Sequence, residues 1–223
     1  LMFVPALWLY YDYLMGHYGR LPLAGLTYWS GVWATAILLL ALAVTPAMVL
    51  FRWNRLVLLR RMIGVSALVY TILHILIYFA LRFWNFASIA YEMATRVSLI
   101  IATISTIGLA ILGATSLDSA VARMGAERWQ RLHNWVYWLS ALALAHFLLS
   151  PGVYSMQYLM AGVFFWLMAW RMLHWRGRAM SVLTLAQLAV VSCLVTAFVE
   201  AGWTWVYQEF DPIETLGNNF SLI

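Results

Sequence analysis

The sequence predicts an all-α integral membrane protein, a helical bundle of six core transmembrane helices with a seventh at its C-terminal end. Three observations carry this prediction. The 223-residue chain is 65% hydrophobic and only 9% charged, with a mean hydropathy of +0.85, which removes it from the soluble globular class. Its apolar residues fall in long uninterrupted runs, and about 20 such residues cross a hydrocarbon core of about 30 Å as a helix. The runs are too long and continuous for barrel strands, and a bilayer admits only helices or closed barrels.

Taken in order, the runs near 1–15, 29–50, 62–81, 94–115, 130–149, 155–173 and 180–200 read as spans. The first is short and lacks an initiator Met, so it reads as the end of a longer span. Span four carries a small residue at every fourth position (Ala102, Thr106, Ala110, Ala114), a stripe that predicts close helix approach. Trp203, Trp205 and Tyr207, after span seven, read as interface anchors. The single cysteine, Cys193, leaves no disulfide framework or thiolate metal cluster to consider.

The net charge of +5 comes from 13 arginines, with no lysine, against eight acids. Arg52, Arg55, Arg60 and Arg61 lie between spans two and three, Arg123, Arg128 and Arg131 between four and five, and Arg171, Arg176 and Arg178 between six and seven. The opposite loops hold only Arg20, Arg82 and Arg96, and the chain ends on a tail with Glu209, Asp211 and Glu214. Loops rich in arginine stay in the cytoplasm, so spans three and five both run outward and the tail lies outside. The basic balance therefore speaks of orientation in a lipid bilayer and of no nucleic-acid partner.

Five histidines occur, and three lie within spans. His17 falls in the first outer loop and His174 at the inner end of span six, both within reach of water. His74 lies thirteen residues beyond Arg61, and His146 lies thirteen residues beyond His133, which sits near the arginine-rich inner end of its own span. Helices rise about 1.5 Å per residue, so on two spans running the same way His74 and His146 reach one depth in the outer half. Two imidazoles at one level can bind a haem iron from both sides, and filling both axial positions favours electron transfer over oxygen binding. Hydrogen bonding between helices is the simpler alternative for either histidine alone.

His133 lies about 20 Å nearer the cytoplasm than His146. The residues at matching depth on span three are Arg60 and Arg61, which suit either haem propionates or lipid headgroups. A second haem at His133 is thus left open. Thirteen residues also leave His133 and His146 about 140° apart around a straight helix. A tilt, a local bend or a different partner helix at each level has to absorb that angle.

RRMIGVSALVYTILHILIY (60–78) and ATSLDSAVARMGAERWQRLHNWVYWLSALALAHFLLS (114–150) resemble the haem-binding membrane subunit of the periplasmic methionine sulfoxide reductase system, the MsrQ or YedZ family of the ferric reductase-like transmembrane group. The matching elements are the Arg-Arg-x-x-Gly start of span three and its Leu-His, the Thr-Ser after span four, and the Trp-x-x-Leu-His-Asn-x-x-Tyr start of span five with its second His. The resemblance covers roughly residues 20–175.

It implies one or two b haems, with ligation carried onto His74, His133 and His146 and a contact from Arg60. It implies a bacterial inner-membrane location with a cytoplasmic N-terminus, and electrons that enter from a cytoplasmic flavin reductase or the quinone pool. They leave to a periplasmic oxidoreductase, a molybdopterin enzyme that repairs oxidised methionine, so no catalytic residue falls in this chain. Flavin mononucleotide (FMN) is a further implication of the family, although no glycine-rich phosphate motif marks a site for it. Relatives stop soon after span six, so the chain divides into a haem-binding domain, 1–175, and a C-terminal extension, 176–223, that departs from the family pattern. Two other functions fit the same residues: direct reduction of a small outer acceptor such as ferric ion or a quinone, and an accessory role in a larger membrane complex.

Overall fold

A computed structural model describes residues 2–150, 155–177 and 181–207, and among these every regular element is helical. The acidic tail, Arg178 and the side chains of Trp203, Trp205 and Tyr207 lie outside the described residues. Helix α1 covers Val4–Leu14, with Pro5 in its first turn. Helix α2 runs from Pro22 to Phe51, opening on a proline, whose missing N–H costs nothing there, and closing at Arg52 in the left-handed region. Its 30 residues extend about 45 Å, more than the hydrocarbon thickness, and Pro46 lies inside it.

A 3-10 turn at Asn54–Leu56 leads into α3, Val57–Leu81. The stretch expected to be an outer loop instead folds as a ten-residue helix, α4 (Phe86–Thr95), capped by the Asn85 side chain, which accepts from Ser88 N–H. Helix α5 spans Val97–Ala114. Two short helices follow, α6 (Asp118–Met124) and α7 (Ala126–His133), before α8 (Val136–Leu148). The chain continues through α9 (Ser155–Trp175) and α10 (Val182–Tyr207).

Among the described residues, α2, α3 from Leu59 onward, and α5 are both long enough and apolar enough to cross a membrane alone. The expected span five is two helices joined at Asn134–Trp135, where the N–H groups of Trp135 and Tyr137 bond to carbonyls three residues back. That is the tighter 3-10 pattern, about 120° per residue rather than about 100°, and two or three such residues reduce the separation of His133 and His146 to about 80–100°. Of the tilt, bend or change of partner helix expected to absorb that angle, the tighter turn at Asn134–Trp135 takes up a part.

The chain forms two compact units, Leu1–Met160 and Ala161–Ile223. In the first, α2 is the central helix. Its Ala34, Ile37, Leu38, Ala41 and Val44 pack with Ile63, Ala67 and Tyr70 of α3, Leu109 and Leu112 of α5, and Leu139 of α8. Val65, Val69, Ile72 and Leu76 of α3 are exposed, as are Ile100, Ile104, Ile107 and Ile111 of α5, and in a bilayer such stripes face lipid. The small-residue stripe of α5 is not its packing face, since Ala110 and Ala114 are exposed. Helix α8 packs instead on Gly108, against which Leu139 lies, and on Ser105, whose hydroxyl donates to the Leu139 carbonyl at 2.9 Å. In the second unit Gly162 of α9 faces Thr196 of α10, and Trp166 Nε1 donates to the Leu185 carbonyl.

Candidate haem site

At the level expected to lie outward, the first unit brings two imidazoles into matching environments. On α3, His74 Nδ1 lies 3.0 Å from the Thr27 carbonyl and 3.1 Å from Ser30 Oγ, both on α2. The Ser30 hydroxyl donates to the same Thr27 carbonyl at 2.8 Å. A carbonyl only accepts, so Nδ1 carries the hydrogen and Nε2 keeps a free lone pair. The ring lies against Gly31, where a Cβ would come within 3.1 Å of Cε1 and 3.3 Å of Nδ1. Any larger residue there would move the imidazole.

On α8, His146 Nδ1 donates to the Ser98 carbonyl at 2.9 Å, in the first turn of α5. The same rule leaves its Nε2 free. His74 and His146 lie within electrostatic range of one another. Tyr28 of α2 packs on Phe147, the neighbour of His146, with ring centres 6.0 Å apart. Both histidines are thus paired with residues near the starts of other helices, Thr27 on α2 and Ser98 on α5.

The inner level is built differently. His133 ends α7 under Trp129, which stacks on it at 3.9 Å and 23°. Its Nδ1 lies 3.1 Å from the Trp129 carbonyl, while Nε2 lies 3.2 Å from the Leu112 carbonyl and 3.3 Å from Ser116 Oγ. Each ring nitrogen faces a carbonyl, so here Nε2 is engaged. The charges of Arg60 and Arg61 act on this ring. Arg61 also pairs with Asp118 at 2.6 Å. His17 takes part in none of these contacts. It pairs with Asp12 at 2.9 Å in the loop after α1, and His174 stacks on Trp170 at the end of α9.

Sequence reasoning missed three features of the outer level. Thr27, Ser30 and Gly31 form a small polar step in an otherwise apolar run, a signal visible without the structure. Ser98 contributes only its main chain and leaves no such signal. The third is an ionic cluster above the imidazoles, in which Glu92 of α4 accepts from Tyr78 and Arg82 at 2.8 Å each and pairs with Arg96 at 3.5 Å. Arg82, just past the end of α3, is held above its ordinary pKa first by its hydrogen bond to Tyr78 and then by the Glu92 charge.

A family model described as "Ferric reductase like transmembrane component" matches residues 30–144. The chain is 34% identical over 178 residues to the "Protein-methionine-sulfoxide reductase heme-binding subunit MsrQ" of Polaromonas naphthalenivorans, covering 77% of this chain and 81% of that one. The chain belongs to the MsrQ family. The Caulobacter vibrioides MsrQ is 33% identical over 178 residues, 79% of this chain and 84% of its own. MsrQ relatives are thus matched over most of their length, whereas the magnetosome protein MamZ of Magnetospirillum gryphiswaldense, 30% identical over 165 residues, shares 73% of this chain and only 25% of its own. No solved structure matches. The family segment contains His74 and His133 and stops two residues before His146.

Proposed function

We propose that this MsrQ-family chain binds b haem between His74 and His146 and relays electrons outward across the bacterial inner membrane to a separate periplasmic oxidoreductase. The single observation that carries the reading is the matched pair of imidazoles, each with Nδ1 committed to a backbone carbonyl and Nε2 free for iron. The relatives' names, which specify a haem-binding subunit of a methionine sulfoxide reductase, support both cofactor and role. Those names mention no flavin.

Haem held by two histidines takes up and gives back single electrons. The chain's own residues do the rest. Thr27 and Ser98 fix the two tautomers, Gly31 seats the His74 ring against α2, and the lipid-facing stripes of α3 and α5 keep water from the site. His133, with Arg60 and Arg61, marks the inner level, where electrons enter from a quinol or a cytoplasmic flavin reductase. Residues 1–175 serve as the haem-binding domain, and 176–223 form an extension that docks the partner, with its tail outside and the N-terminus in the cytoplasm.

Protein purified from haem-sufficient cells should show a b-type spectrum that dithionite reduces. His74→Ala or His146→Ala should abolish it while leaving the protein folded in detergent. A purified wild-type chain with no such spectrum removes the reading.

A further inference from the structure

The ionic cluster at the outer end of α3 has one more positive charge than its partners neutralise. Arg82 donates through Nη2 to Glu92 at 2.8 Å, Arg96 approaches the same carboxylate oxygen at 3.5 Å, and Tyr78 donates to it at 2.8 Å. Two guanidiniums therefore share one carboxylate. Arg82 Nε is buried and has no hydrogen-bond partner among the described residues, although a buried guanidinium donor is ordinarily satisfied. Glu92 is itself buried, so the cluster lies partly out of water.

Its position relates it to both imidazoles. Arg82 follows His74 by eight residues on one continuous chain path, an axial rise of about 12 Å. Tyr78 lies between them, one turn above His74. Arg96 precedes by two residues the Ser98 carbonyl that holds His146. The cluster thus lies beyond the two histidines, at the C-terminal end of α3 and the N-terminal end of α5, where an anionic group projecting that way from a ligand held between them would meet it. Arginine is suited to carboxylates through its fork of N–H donors.

We propose that Arg82, supported by Arg96, binds a carboxylate of the macrocycle held between His74 and His146, and that Glu92 is the counter-charge that limits the positive potential felt there. The inference rests on the haem reading above. It makes Arg82 a positioning and tuning residue, and it gives α4 a purpose, since α4 carries Glu92 into the cluster. A positive charge favours the reduced form of the iron, so Arg82 raises the midpoint potential and Glu92 lowers it. A unit charge about 12 Å away at an effective dielectric of about 20 changes the reduced-to-oxidised ratio about tenfold, which is about 59 mV for one electron.

The test is a spectroelectrochemical titration of purified protein in detergent. Arg82→Gln should shift the midpoint downward by about that tenfold ratio, Arg82→Lys by less, and Glu92→Gln upward. The apoprotein of wild type and of Arg82→Gln is then reconstituted with protohaem or with its dimethyl ester, whose carboxylates are blocked. Contact with the carboxylate predicts that Arg82→Gln weakens the affinity for protohaem and leaves the affinity for the ester unchanged, while the through-space shift in midpoint is seen with both. An equal loss of affinity with both, or none with either, reduces Arg82 to a remote charge and overturns the carboxylate contact, as does an absent shift in midpoint. Glu92→Gln, which keeps the shape of the side chain, supplies the sign test if Arg82→Gln fails to fold. A downward or absent shift there overturns the proposal. A wild type that binds no haem sinks the underlying reading and this one with it; a haem-loaded wild type with unmoved variants sinks this one alone.

Discussion

Gly31 sets where the His74 ring can lie, and replacing it should weaken haem binding without touching a ligand. A Cβ at this position would sit 3.1 Å from Cε1 and 3.3 Å from Nδ1, a few tenths of an ångström inside ordinary contact. The ring must back away from α2, and the bonds from Nδ1 to Thr27 and Ser30, now 3.0 and 3.1 Å, lengthen by the same amount. Loss of one such bond costs about 1 kcal/mol, about a fivefold drop in affinity for Gly31→Ala. Gly31→Val puts two further methyl groups into the ring and should leave little haem bound. The assay is the haem-to-protein ratio of purified protein, together with a haem titration of the apoprotein. Gly64→Ala serves as control, because Gly64 lies on the same helix as His74 and a Cβ there meets nothing within 4 Å. Wild-type haem content in folded Gly31→Val would refute the reasoning that α2 seats the ring.

His133→Ala should retain the reduced absorption band assigned to His74 and His146, because its ring bonds to Trp129, Leu112 and Ser116 and to neither of them; complete loss of the band in a folded variant would mean that the ligand pair is misassigned. Ser105→Ala removes the hydroxyl that joins α5 to the Leu139 carbonyl and should lower stability by about 1 kcal/mol, read as an earlier thermal transition in detergent. Gly108→Leu should be worse, since even a Cβ there collides with Leu139. If it melts with the wild type, α5 and α8 do not pack through that glycine. Ser30→Ala leaves the Thr27 carbonyl in place and should reduce haem affinity by less than Gly31→Ala, as measured by the same titration.

Much of the outer level was legible because depth in a membrane is arithmetic. Counting thirteen residues from charged inner ends put His74 and His146 at one height, and helix rise is nearly constant. Rotation about the helix is less forgiving. The 3-10 turn at Asn134–Trp135 comes from main-chain bonds that no residue pattern announces, since Asn134 and Trp135 both keep near-helical dihedrals. The stripe from Ala102 to Ala114 misled for a related reason. Steps of four advance about 40° each time around a helix, so by its end the stripe has turned away from any single neighbour. Ser105 and Gly108, offset from it, meet α8 instead. Helix α4 was hidden because its ten residues, FASIAYEMAT, are too few to span a membrane and lie between two arginines, and only the ion pairs explain why the Glu92 charge is buried.

Both imidazoles take their orientation from main-chain oxygens, one at Thr27 and one at Ser98. No point substitution deletes a carbonyl. The side chains at these two positions are therefore free to vary through descent so long as α2 and α5 keep their place, and the tautomer is inherited with the helices themselves. Vulnerability shifts to Gly31, where what matters is the absence of an atom and every replacement adds one.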